Sequence, residues 1–133
     1  MENDKIDLEQ TIKNWIASSD KDYETMKHLF DSKDFQWSLF IGHIVIERLL
    51  KVGIIKKTSA HAPFTHDLRR LAKLSQIEFH DLHCTWLDTI TSFNLNARYE
   101  SYLEAFYKKC TPEFTKEWIS NISELREWIK TKL

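Results

Sequence analysis

The chain has 133 residues, 42% of them apolar, with 19 basic and 20 acidic side chains and a net charge of −1 with histidine neutral. That balance excludes a disordered chain and a uniform basic field for grasping nucleic acid, while leaving room for a local basic patch. The length suits one domain, residues 1–133, able to close a core without metals or disulfides.

From about Asp7 to Phe30 the apolar positions Leu8, Ile12, Trp15, Ile16, Tyr23, Met26, Leu29 and Phe30 recur at helical steps. "DSKD" at 31–34 reads as a turn, with Asp34 a possible N-cap for a second helix over about Phe35 to Lys57. This helix is the most apolar element and hence the expected centre of the fold. "KKTSAHAPFTHD" is a loop. Thr65 is the expected N-cap of a short third helix that turns Leu68, Leu71 and Ala72 inward. A fourth helix follows from about Glu78 to Phe93, with Phe79, Leu82, Trp86, Ile90 and Phe93 on one stripe. "NLNARYESYLEAFYKKC" is less regular and is expected to be an ordered loop with at most one helical turn. Thr111 as N-cap, Pro112 and Glu113 open a last helix whose inner stripe is Phe114, Trp118, Ile122, Leu125, Ile129 and Leu133. The expected fold class is all-α, an antiparallel up-and-down helical bundle of four long helices plus one short helix.

The second helix contains "IGHIVIERLLKVGII". At about 100° per residue, His43, Glu47 and Lys51 step round by only about 40° each and form one polar line. Glu47 precedes Lys51 by four residues, the favourable order for a helical ion pair. An amphipathic helix shows such charges to water. Here Ile46, Leu50 and Ile54 flank the line closely, which suits a groove or a subunit interface, so another chain or a ligand is expected to cover this face.

Three segments together resemble HEPN domains, the higher eukaryotes and prokaryotes nucleotide-binding family. "HIVIERLLKVGII" is similar to the family's second-helix signature, with Arg48 where Lys is usual and Lys51 retained. "PFTHDL" at 63–68 resembles its Pro-x-Thr-His-Asp-Leu element, and "NARYES" at 96–101 its Ala-Arg-Tyr-Pro element, with Glu100 in place of Pro. The resemblance covers nearly the whole chain. It implies a helical bundle, often a homodimer, that binds nucleotides or RNA. Some members are ribonucleases, including toxins, and others partner small nucleotidyltransferases encoded beside them. Ribonuclease members carry an Arg followed after four to six residues by a His. No Arg of this chain has a His at that spacing. The catalytic assignment is therefore not carried over, and the reading leans to a non-catalytic module. Arg98 and Tyr99 still offer a planar fork for phosphate and a stacking face. An internal Arg98–Glu47 pair with Tyr99 packed beneath is compatible with that role if Arg98 has spare donors; Glu47 is expected to anchor Arg98, with Lys51 and His43 facing whatever fills the groove.

The remaining candidates are weaker. His80, His83 and Cys84 of "HDLHC" lack a further ligand nearby in sequence, so no metal and no cofactor is assigned. Trp15, Trp86 and Trp118 fall on core stripes; Trp37 and Trp128 do not, which leaves an interface role open for one of them. Gly42 and Gly53 lie inside the second helix and mark close helix approach. Cys84 and Cys110 make no disulfide framework and suit a reducing compartment. The acidic start "MENDKIDLEQ" is unlike a signal peptide, and no apolar run reaches the roughly 20 residues of a spanning helix. A soluble cytoplasmic protein without membrane contact is expected. The ligand-binding candidates are His43, Glu47, Lys51, Arg98, Tyr99 and His66. The functional expectation is a nucleotide- or RNA-binding homodimer, with a minimal nucleotidyltransferase as a toxin–antitoxin-type partner. One alternative is a divergent ribonuclease using Arg98 with a non-local His; another is a dimeric adaptor without a small ligand.

Overall fold

The computed structural model describes residues 2–133, with side chains described from residue 4 onward. The described residues form six helices: α1 (Glu2–Asp31), α2 (Phe35–Thr58), α3 (Leu68–Ser75), α4 (Asp81–Arg98), α5 (Glu100–Lys109) and α6 (Pro112–Lys132). The all-α bundle stands, with one helix more than the sequence pattern announced.

Apart from its polar line, α2 is apolar round most of its circumference, and a helix of that kind is stable only when surrounded. It packs against α1, α3, α4, α5 and α6. Leu39, Val45, Ile46, Leu49, Leu50 and Val52 are all fully buried. Met26 of α1, Leu68 and Leu71 of α3, Leu87 and Ile90 of α4 and Ile122, Leu125 and Ile129 of α6 close around them. Gly42 makes this possible. A methyl group there would lie 2.6 Å from Ile122 Cδ1 and 3.0 Å from Met26 Sδ, so α1 and α6 meet α2 where it has no side chain. At Gly53 the nearest atoms would be 3.3 to 3.4 Å away, a looser approach.

The helix ends follow their local chemistry. α1 closes with Lys33 in the left-handed region, φ 65°. Asp34 N–H donates to Leu29 O at 2.8 Å and Lys33 N–H to Phe30 O at 3.0 Å, a Schellman stop. Asp34 holds the cap position of α2 but its side chain makes no capping hydrogen bond. Thr111 caps α6 by accepting from Phe114 N–H, with Pro112 behind it. The cap of α3 is Asp67 rather than Thr65: its carboxylate accepts from Arg69 and Arg70 N–H. Thr65 acts one step earlier, accepting from Asp67 N–H at 3.2 Å.

α4 and α5 correct the expected loop. α4 starts later than Glu78 and runs on to Arg98, so its inner face is Leu87, Ile90, Phe93, Asn94 and Ala97, while Leu82 is exposed. Tyr99, extended with ψ 124°, separates it from α5. α5 buries only Phe106 and leaves Tyr102 and Tyr107 exposed. A helix with one buried residue leaves almost no apolar period to read. Its ends are nonetheless favourable, with Glu100 in the first turn and Lys108 and Lys109 in the last. Glu100 is the first helical residue, where either Pro or an acidic residue serves well.

Candidate functional site

The centre of the site is the polar line of α2, and the chain itself covers it. His43 is fully buried and Glu47 and Lys51 nearly so, with Ile46 and Leu50 inaccessible beside them. The loop between α2 and α3 folds back over His43 and one side of Glu47 and Lys51, so the chain itself covers part of the face expected to meet a second chain or a ligand. Arg48, off the line, turns to α1 and pairs with Asp22 at 3.2 Å.

The loop is anchored through its backbone. His43 Nε2–H donates to the carbonyl oxygen of His66 at 2.8 Å. Asn94 of α4 donates from Nδ2 to His43 Nδ1 at 3.3 Å. One ring nitrogen donates and the other accepts, so this imidazole is neutral with its proton on Nε2. Burial pushes its pKa down, and the neighbouring charges of His66 and Arg98 add to that against the opposing pull of the His66 carbonyl and Glu47. The 4.0 Å approach of His43 Nδ1 to Glu47 Oε1 is too long for a hydrogen bond. Past the loop, Thr91 Oγ1 of α4 accepts from Leu68 N–H at 3.1 Å, which fixes the start of α3 against α4.

With its backbone held, His66 directs its side chain to Glu47. Nδ1 lies 2.7 Å from Glu47 Oε1, and the other carboxylate oxygen takes Lys51 Nζ at 3.3 Å. A carboxylate held by two donors can remain charged at little exposure. The His66 side chain is 40% exposed. Its Nδ1 is engaged inward, so Nε2 is the nitrogen left for a ligand, with the carboxylate fixing ring orientation and tautomer.

Arg98 lies at the end of α4, one turn beyond Asn94. Its Nε donates to Asn94 O at 3.3 Å, and its guanidinium carbon lies 5.6 Å from the Tyr99 ring centre. No described residue takes its Nη donors, and Arg98 and Tyr99 are both exposed. Asn94 therefore links the two halves: its side chain braces His43, which holds His66, and its carbonyl oxygen orients Arg98. The expected Glu47–Arg98 pair does not form; the Glu47 carboxylate instead faces His66, Lys51 and the neutral His43. The physical reason is register. The carboxylate already has one donor on each oxygen, from the loop and from α2, and Arg98 is drawn to the carbonyl four residues earlier on its own helix.

The six sequence candidates thus divide. Glu47, His66 and Lys51 form one bonded cluster, Arg98 and Tyr99 stand exposed at the end of α4 and connect to it through Asn94 and His43, and His43 itself is fully buried. Asn94 was missed, because the two asparagines of "NLNARYES" read as loop; its spacing of four from Arg98 on a continuing helix was the available signal. Phe64, 92% exposed and 5.6 Å ring to ring from His66, was also missed. Among the described residues no cluster of three potential metal ligands exists. His80 and His83 instead stack with each other and with Trp128.

Comparison with known proteins bears on the fold and the family. No curated protein matches the chain. Among solved structures the chain is similar to the crystal structure of TT1696 from Thermus thermophilus, with a TM-score of 0.78 and 12% identity over 92% of this chain and 98% of that one, a likeness of fold. The family model described as "HEPN domain" matches residues 12–132. That span takes in every residue of the site and all of the bundle but the first turns of α1, and the chain belongs to the HEPN domain family.

Proposed function

We propose that this protein is a nucleotide- or RNA-binding HEPN module that engages phosphate with Arg98 and His66. The observation that carries this reading is two presented groups tied through one hydrogen-bond chain, from the His66 carbonyl through His43 and Asn94 to Arg98. Arg98 has its Nη fork unengaged by any described residue, and His66 has its inner nitrogen tied to Glu47 at 2.7 Å. Arg matches phosphate oxygens bidentately, and an imidazole Nε2–H adds a further donor when the ring is protonated. Lys51 and Tyr99 contribute charge and a stacking face at the edges. The module acts as a homodimer and cooperates with a separately encoded minimal nucleotidyltransferase, in the manner of a toxin–antitoxin pair. Exposed Phe64, Leu95, Tyr99 and Tyr102 supply apolar surface suited to such contacts.

A specific observation favours a second reading, a divergent ribonuclease. Glu47 and His66 form a carboxylate–imidazole dyad, and Arg98 on α4 connects to it through Asn94 and His43, so the His need not follow the Arg in sequence. Purified protein incubated with single-stranded RNA separates the two. The binding module leaves the RNA intact and loses affinity in Arg98→Ala. Cleavage abolished by both Arg98→Ala and His66→Ala establishes the ribonuclease instead.

A further inference from the structure

The polar line of α2 has a second opening. A groove of about 400 Å³ is lined by Asn14, Trp15 and Ser18 of α1 and by Glu47, Arg48 and Lys51 of α2. Its floor is the Glu47–Lys51 pair, with side chains only 10% and 11% exposed. The Lys51 ammonium lies 5.5 Å from the Trp15 ring centre and 5.9 Å from that of Phe64, so aromatic rings flank it. Phe64 also stands edge-on to His66 at 5.6 Å. Phe64 therefore neighbours both Lys51 of the groove and His66.

We propose that this groove receives the base of an unpaired nucleotide whose phosphate lies on Arg98 and His66. The inference rests on the nucleotide-binding reading above and adds a base subsite to it. The Watson–Crick edge of every nucleobase sets a hydrogen-bond donor beside an acceptor. The groove floor offers the complement, a carboxylate oxygen and an ammonium 3.3 Å apart. Every base also has a π-face, and Trp15 and Phe64 supply aromatic surfaces for it. A base within a duplex has that edge occupied, so the occupant is a free nucleotide or a single strand. Because all bases carry such an edge, the groove selects for the presence of a base rather than for one base.

Isothermal titration of the full chain with AMP and with ribose 5-phosphate tests this, since the two share a phosphate and differ in the base. Wild type is expected to bind AMP on the order of tenfold tighter or more. Trp15→Ala removes most of that advantage and leaves ribose 5-phosphate binding unchanged, whereas Arg98→Ala weakens both ligands alike. Equal wild-type affinities for the two ligands overturn the base subsite and leave the phosphate site standing, a comparison that depends on no variant folding. Binding of neither ligand overturns the nucleotide reading and the subsite with it. A Phe64→Ala change that turns a dimer into monomers without altering AMP affinity assigns that ring to a subunit contact and overturns its part in the groove.

Discussion

His43 is the residue whose role changes most on folding. Its place on the polar line suggests a ligand contact; its full burial makes it a strut. Its folded-state pKa lies below the ordinary histidine value because burial disfavours the charged ring. Where the folded pKa is depressed, the unfolded chain binds more protons, so stability is lost as pH falls through about 6.5 toward the folded value. His83, also buried and held neutral, first by burial and then by the nearby His80, adds to the same loss. Denaturation measured between pH 7.5 and 5 should therefore show stability falling with acid. His43→Gln, whose amide can replace the Nε2–H donor, should flatten that slope without abolishing it. An unchanged slope would mean that His43 is not neutral in the fold.

At the scale of the helix, two sites give opposite expectations for a small change in side chain. Gly42→Ala gains about 1 kcal/mol of helix propensity but presses a methyl group to 2.6 Å from Ile122 Cδ1 in a closed core, where overpacking costs about 1–3 kcal/mol. Gly53→Ala gains the same propensity against contacts no closer than 3.3 Å. Thermal denaturation should rank Gly53→Ala above wild type and Gly42→Ala below it. Lys33→Gly, at φ 65°, should stabilise the α1–α2 turn by about 1 kcal/mol, since a Cβ is unfavourable in the left-handed region. These elements were legible because each signal was local: the stripes of α1, α2 and α6, the Thr111–Pro112 start, the glycines inside an apolar helix. α5 was not legible, since a helix with only Phe106 buried writes no stripe. The shift of α4 by a few residues moved Leu82 outward and Asn94 inward, and a sequence window cannot set such a boundary when Phe79 packs on the core from the preceding loop.

For the whole molecule, α2 at the centre means that one core holds all six helices, with no seam at which part of the chain stands alone. Residues 1–133 should unfold as a single unit, with coincident transitions by far-UV circular dichroism and tryptophan fluorescence; two separated transitions would contradict this. The same centrality explains how far the site was readable. The candidates Glu47, His66 and Arg98 came from the sequence, because family-like segments carry them. Their partners did not. Whether Glu47 meets Arg98 or His66 depends on a loop folding over α2, and that fold-back is set by the bond from the His43 ring to the His66 carbonyl, a contact 23 residues apart with no pattern of its own.

The most direct test of the phosphate-binding claim is fluorescence anisotropy of a short labelled single-stranded RNA, at one fixed salt concentration, with wild type and Arg98→Ala. Losing charge-assisted hydrogen bonds of about 1.5–3 kcal/mol should weaken binding roughly tenfold or more. Equal affinity of the two proteins would contradict the assignment of Arg98, and with it the site built around Glu47 and His66.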